Sequence, residues 1–109
     1  GRAAVAAAER ELVRRGYTIL ARRFRAAGGE VDLVAARAGA VHFVEVKARR
    51  EGTGYDPAEA IDDAKRGRVE RAAQAFVKRH RLERASRRFE AALVKVVGDD
   101  RFEVRFVPF

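Results

Sequence analysis

Apolar positions change period along this chain, and each change marks an element. From Ala3 to Arg15 strong helix formers place Val5, Ala8 and Leu12 on one stripe, and Gly16 stops the helix where a C-terminal glycine usually sits. Tyr17 to Phe24 has a strand-like period, with Ile19 and Leu20 ahead of Arg22, Arg23 and Arg25, and Gly28-Gly29 breaks it. Glu30–Ala36 and Val41–Lys47 are short apolar-rich runs joined through Arg37–Ala40, the pattern of a β-hairpin. Arg50–Pro57, with Gly52, Gly54 and Pro57, predicts a loop. Ala58 to about Arg81 predicts a helix broken near Gly67, its buried stripe formed by Ile61, Val69, Ala72, Ala73, Phe76 and Val77. Phe89–Val97 and Phe102–Val107 predict two strands around the Gly98-Asp99-Asp100 turn. The order α-β-β-β-α-β-β makes one sheet flanked by helices, an α/β architecture.

Length allows one core: 109 residues and 12.1 kDa predict a single domain over residues 1–109. Cysteine is absent, which excludes disulfides, thiolate catalysis and zinc fingers. No run of about 18 apolar residues is present, nor an apolar signal segment, so a cytoplasmic protein without a membrane span is expected. Gly1 in place of Met reads as a trimmed start. The net charge of +8 points to a polyanionic partner, with nucleic acid first. Lys occurs only at Lys47, Lys65, Lys78 and Lys95, so the cations are mostly arginine. That suits bidentate phosphate contacts and also fits a GC-rich or thermophilic composition.

Four ionisable residues interrupt the hairpin: Glu30, Asp32, Glu45 and Lys47. Alternation puts Glu30 and Asp32 on one face of their strand and Val31 and Leu33 on the other, while Glu45 and Lys47 lie opposite Val44 and Val46. A two-residue turn at Ala38-Gly39 pairs Arg37 with Ala40 and, counting back, Asp32 with Glu45, with Cβ atoms about 5 Å apart. Facing carboxylates destabilise a sheet unless a cation lies between them, and hard oxygen ligands suit Mg²⁺. Lys47 beside such a cation could orient or deprotonate water or stabilise phosphate charge. His42 shares the parity of Val44 and points away. The competing reading is a cross-strand ion-pair ladder on a solvated face.

Asp32, followed after twelve residues by Glu45-Val46-Lys47, resembles the PD-(D/E)XK motif of restriction-endonuclease-like proteins. Gly29-Glu30-Val31-Asp32-Leu33 and Phe43-Val44-Glu45-Val46-Lys47-Ala48-Arg49 resemble the signature of the bacterial YraN-like family, described as predicted endonucleases distantly similar to archaeal Holliday junction resolvases. The likeness extends through Gly16-Tyr17, Ile19-Leu20, Ala60-Ile61-Asp62 with Lys65, and Arg88-Phe89-Glu90. The resemblance implies a restriction-endonuclease-like fold with a central mixed sheet, hydrolysing phosphodiesters in DNA, branched DNA included, with Mg²⁺ or Mn²⁺. It implies Asp32, Glu45 and Lys47 as catalytic, and Asp32, Glu45 and the Val46 carbonyl as metal ligands. Two positions depart: Val5 stands where the family carries Glu, leaving Glu30 to substitute as a ligand, and Arg23 replaces a usual Asn. The alternative is a catalytically weak or inactive nucleic-acid-binding module on a nuclease fold. A third is an interaction protein meeting an acidic partner.

Arg23, Arg25, Arg49, Arg50, Lys65 and Arg68 are candidate phosphate contacts, each weighed against a solvated charged face. Arg50–Pro57 reads as a flap or a plain surface loop, and Tyr55 within it is the one aromatic placed for stacking. The apolar run Phe102, Val104, Phe106, Val107 and Phe109 suits either a homodimer interface or a strand of the molecule's own core.

Overall fold

The computed structural model describes residues 1–50 and 61–109. Its elements are α1 (Arg2–Arg14), β1 (Thr18–Ala26), β2 (Gly29–Arg37), β3 (Ala40–Arg50), α2 (Asp63–His80), β4 (Ser86–Gly98) and β5 (Arg101–Pro108). The sequence order of elements is the expected one, and the sheet order is β1-β2-β3-β4-β5. β3 and β4 are parallel and the other neighbours antiparallel, so the sheet is mixed. Tight turns serve the antiparallel pairs, whereas the parallel pair needs the long crossover containing α2.

Each helix covers one face. Ala4, Ala7, Ala8 and Leu12 of α1 pack on Leu33, Ala35, Val44, Ala92 and Val94. Val69, Ala72, Ala73, Phe76 and Val77 of α2 pack on Val31, Val34, Val41 and Phe43. Every one of these residues is buried, and no polar side chain is buried with them among the described residues. Gly29 lets α2 approach β2: a Cβ there would lie 2.1 Å from the Arg68 carbonyl oxygen and 2.7 Å from the Ala72 nitrogen.

Several expectations are corrected: Ile61, placed by periodicity on the stripe of the second helix, precedes that helix and packs with Ala91 and Leu93. Helix α2 runs unbroken through Gly67, because a single interior glycine costs only about 1 kcal/mol and the five buried residues of the stripe outweigh it. It opens at Asp63 with Asp62 as N-cap, its Oδ1 accepting from the Lys65 N–H at 2.8 Å. Val31 and Leu33 do not share a face: Val31 joins the α2-side core and Leu33 the α1-side core. Strict alternation fails between them at Asp32, the level at which the β2–β3 ladder stops and at which Arg23, in the facing stretch of β1, has a left-handed backbone (φ 49°). Arg50 closes β3, while the rest of the predicted loop, Tyr55 included, and the first residues of the predicted helix lie outside the described residues. No helix among the described residues is long and apolar enough to cross a membrane.

Candidate functional site

The turn at Ala38 (φ 50°) and Gly39 (φ 78°) has two left-handed residues, the backbone of a primed two-residue hairpin turn, and it sets the register. Arg37 pairs with Ala40, and pairing continues to Leu33 opposite Val44. The next pair is Asp32 and Glu45, and here side chains replace the ladder. The Asp32 N–H donates to Glu45 Oε1 at 3.0 Å, and the Val46 N–H donates to Asp32 Oδ2 at 2.7 Å. Beyond this level β2 continues with β1 as far as Gly29 opposite Ala26, and β3 continues with β4 as far as Arg50 opposite Val96. The sheet therefore forks, with the two carboxylates in its crotch.

In an extended strand the N–H and C=O of one residue point to the same edge, so the Val46 carbonyl faces the gap as its N–H does. Asp32, Glu45 and Val46 then present hard oxygen donors at one place, a set that fits a divalent cation of the Mg²⁺ type. Burial and, next, the Asp32 charge push the Glu45 carboxyl up to about 7. This is the cost of crowding two partly buried carboxylates, and a bound divalent cation would relieve it. Among the described residues no group of three or more acidic, histidine or cysteine side chains gathers to hold a metal.

A cavity of about 640 Å³ opens beside the fork, between α1 and the sheet, lined in part by Val5, Glu9, Arg22, Arg23, Glu30, Asp32 and Val46. Val5 thus occupies the helix side of the acidic site. Glu30 is on the wall, but Arg25 Nε lies 3.4 Å from its Oε1. Glu9 pairs with Arg22 through two 2.7 Å hydrogen bonds, which hold its carboxyl below the usual range and tie α1 to β1. Sequence reasoning did not single out Glu9; its signal was only a helix acid facing the Arg cluster.

Lys47 lies on the α2 side. The Lys65 side chain beside it, then the charge of Lys65, burial and the charge of Arg49, lower its affinity for a proton, with Asp62 opposing them. Lys65 also acts favourably on the Glu45 carboxylate. The fork thus brings together Asp32, Glu45 and Val46, with Lys65 as a neighbouring cation, while Lys47, two residues beyond Glu45 on β3, faces Lys65 and Arg49. Arg23 borders the cavity, Arg25 is engaged with Glu30, Arg50 is exposed at the end of β3, and Arg68 is exposed on α2. His42 turns to the α1 face, edge-on to Tyr17 (4.8 Å between rings) with Nδ1 2.5 Å from Glu90 Oε1, away from Lys47.

Residues 6–104 match the model of the family described as "Uncharacterised protein family UPF0102". A UPF0102 protein of Methylorubrum populi is 51% identical over 82 residues, 75% of this chain and 64% of that protein. One of Methylorubrum extorquens is 55% identical over 65% of this chain and 54% of its own length, so the matches with both span under two thirds of these relatives. A UPF0102 protein of Symbiobacterium thermophilum is 37% identical over 98% of this chain and 91% of its own length.

Proposed function

Taking as premise that this chain belongs to the UPF0102 family, we propose that it is a metal-dependent DNA phosphodiesterase domain whose working centre is the fork between β2 and β3. The observation that carries the reading is the crossed exchange of Asp32 and Glu45, which puts two carboxylates and a strand carbonyl where the sheet parts, with Lys65 adjoining Glu45 and Lys47 next to Lys65. Asp32 and Glu45, with the Val46 carbonyl, would hold Mg²⁺ or Mn²⁺. When bound, such an ion supplies Lewis-acid activation of water and neutralises charge developing on phosphate. Lys47 follows Glu45 by two residues on the same strand; with its proton affinity lowered by Lys65, it would orient the attacking water or donate to a phosphate oxygen. Lys65, Arg49 and Arg50 supply positive charge for the phosphate backbone on one side, and Arg23 and Arg25 on the strand beyond Asp32; Arg68 extends the basic surface along α2. Glu30 is placed to add a ligand if Arg25 releases it.

The test is cleavage of single-stranded, duplex, flap and four-way-junction DNA with Mg²⁺, Mn²⁺ or EDTA, beside Glu45→Gln. Metal-dependent cutting lost in the variant supports the reading, and its substrate preference decides whether branched DNA is the target. One observation favours a second reading, a nucleic-acid-binding module with weak or no catalysis: Val5 lines the cavity where an acid would add a third carboxylate. Salt-sensitive DNA binding that persists in EDTA, without cutting under any metal condition, selects it.

A further inference from the structure

β5 is hydrogen-bonded to β4 on one side and, among the described residues, to no strand on the other. The pairing pattern shows which backbone groups face that free edge. The Phe109 N–H donates to the Phe89 carbonyl at 3.0 Å, so this pair is of the hydrogen-bonded kind. In an antiparallel ladder such pairs alternate, which makes Ala91 with Val107, Leu93 with Arg105 and Lys95 with Glu103 hydrogen-bonded too. Phe102, Val104 and Phe106 therefore direct both N–H and C=O outward. Pro108 sits where β4 needs no donor, at the end of the strand and clear of these three residues.

The side chains repeat about Val104. Phe102, Val104 and Phe106 share one face, packed against the α1-side core and only partly buried, while Glu103 and Arg105 share the other and are exposed. We propose that β5 pairs antiparallel with β5 of a second copy about a two-fold axis at Val104, joining two sheets into one. That register sets Val104 against Val104, Phe102 against Phe106 and Glu103 against Arg105. All outward N–H and C=O groups of Phe102, Val104 and Phe106 then find partners, giving three hydrogen-bonded pairs across the axis. The Glu103–Arg105 pairs are of the closer, non-hydrogen-bonded kind and opposite in charge on both sides of the axis. The apolar layer under α1 becomes continuous through four phenylalanines and two valines.

The β1 edge, also unpaired on its outer side among the described residues, lacks this self-complementarity. β1 carries Arg22, Arg23 and Arg25 with no acid in the strand, and its pairing with β2 is irregular at Leu20, so two copies would bring six arginines into one ribbon. The inference is independent of the nuclease reading, since it rests on β5 alone.

Sedimentation equilibrium of the chain over a wide concentration range tests it. The expected result is a reversible monomer–dimer equilibrium. Glu103→Arg should weaken the dimer about tenfold by setting Arg against Arg on both sides of the axis, and Glu103→Arg with Arg105→Glu should restore it. Val104→Pro removes an N–H that β4 does not use, and should give a folded monomer; the charge pair decides the matter if that variant fails to fold. A wild-type chain monomeric throughout, a dimer indifferent to Glu103→Arg, or a charge swap that does not restore association overturns the proposal.

Discussion

Asp32 and Glu45 each belong to one strand and bind at the other: Glu45 Oε1 accepts from the Asp32 N–H at 3.0 Å, and Asp32 Oδ2 accepts from the Val46 N–H at 2.7 Å. The exchange keeps the strands together where their backbone ladder has ended, and it holds two carboxyl groups side by side. The two roles respond differently to substitution. Glu45→Gln retains an oxygen acceptor for Asp32, whereas Asp32→Ala leaves the Val46 N–H without its partner. Asp32→Ala should therefore destabilise the protein by about 1–3 kcal/mol and Glu45→Gln should not; chemical denaturation of both variants without metal checks the contrast.

Acidity at Glu45 sets a pH dependence. Its carboxyl titrates near 7 when folded, raised by burial and the Asp32 charge. A raised pKa means that the stabilising share is present in full below the ordinary carboxylate value and is lost as pH rises through about 7. The metal-free protein should thus be less stable at pH 8 than at pH 5, by roughly 2 kcal/mol once partial exposure is allowed for. Thermal melts across that range should show the slope in the wild type and flatten it in Glu45→Gln; the same slope in both would assign the effect elsewhere.

Much of this site was legible because the hairpin register depends on one short turn. Counting from Ala38-Gly39 reaches Asp32 opposite Glu45, and the observed pairs follow that count as far as Leu33 and Val44. What sequence pattern did not reveal is the fork itself. Residue type gives no sign of the left-handed backbone at Arg23 or of the end of the β2–β3 ladder, and alternation alone puts Val31 and Leu33 on one face although they enter different cores. Likewise Gly67 looked like a helix break, because local propensity says nothing of the apolar stripe on either side of it packing on β2. Lys65 reaches Lys47 only through tertiary packing, with the Asp62 cap as the one local sign of where α2 begins.

Two glycines near α2 should respond in opposite senses. Gly67→Ala adds a Cβ that meets only the movable end of Arg71, at 3.4 Å, and should stabilise the helix by about 0.5–1 kcal/mol. Gly29→Ala drives a Cβ into the backbone of α2 and should cost about 3 kcal/mol or more. Melting temperatures of the pair test how closely α2 seats on β2.

Lys65 lowers the proton affinity of Lys47 more than any other neighbour does. In Lys65→Ala the Lys47 ammonium should hold its proton to higher pH, and Nζ-detected titration by NMR reads this directly. An unchanged Lys47 titration would separate the two lysines.

Divalent-cation binding at the Asp32–Glu45 fork is read without any nucleic acid by a Mn²⁺ titration followed by electron paramagnetic resonance. One saturable site is expected in the wild-type protein, displaced by Mg²⁺ and lost in both Asp32→Asn and Glu45→Gln while each variant stays folded. Mn²⁺ binding of the same strength in the folded variants, or none in the wild type, would contradict it.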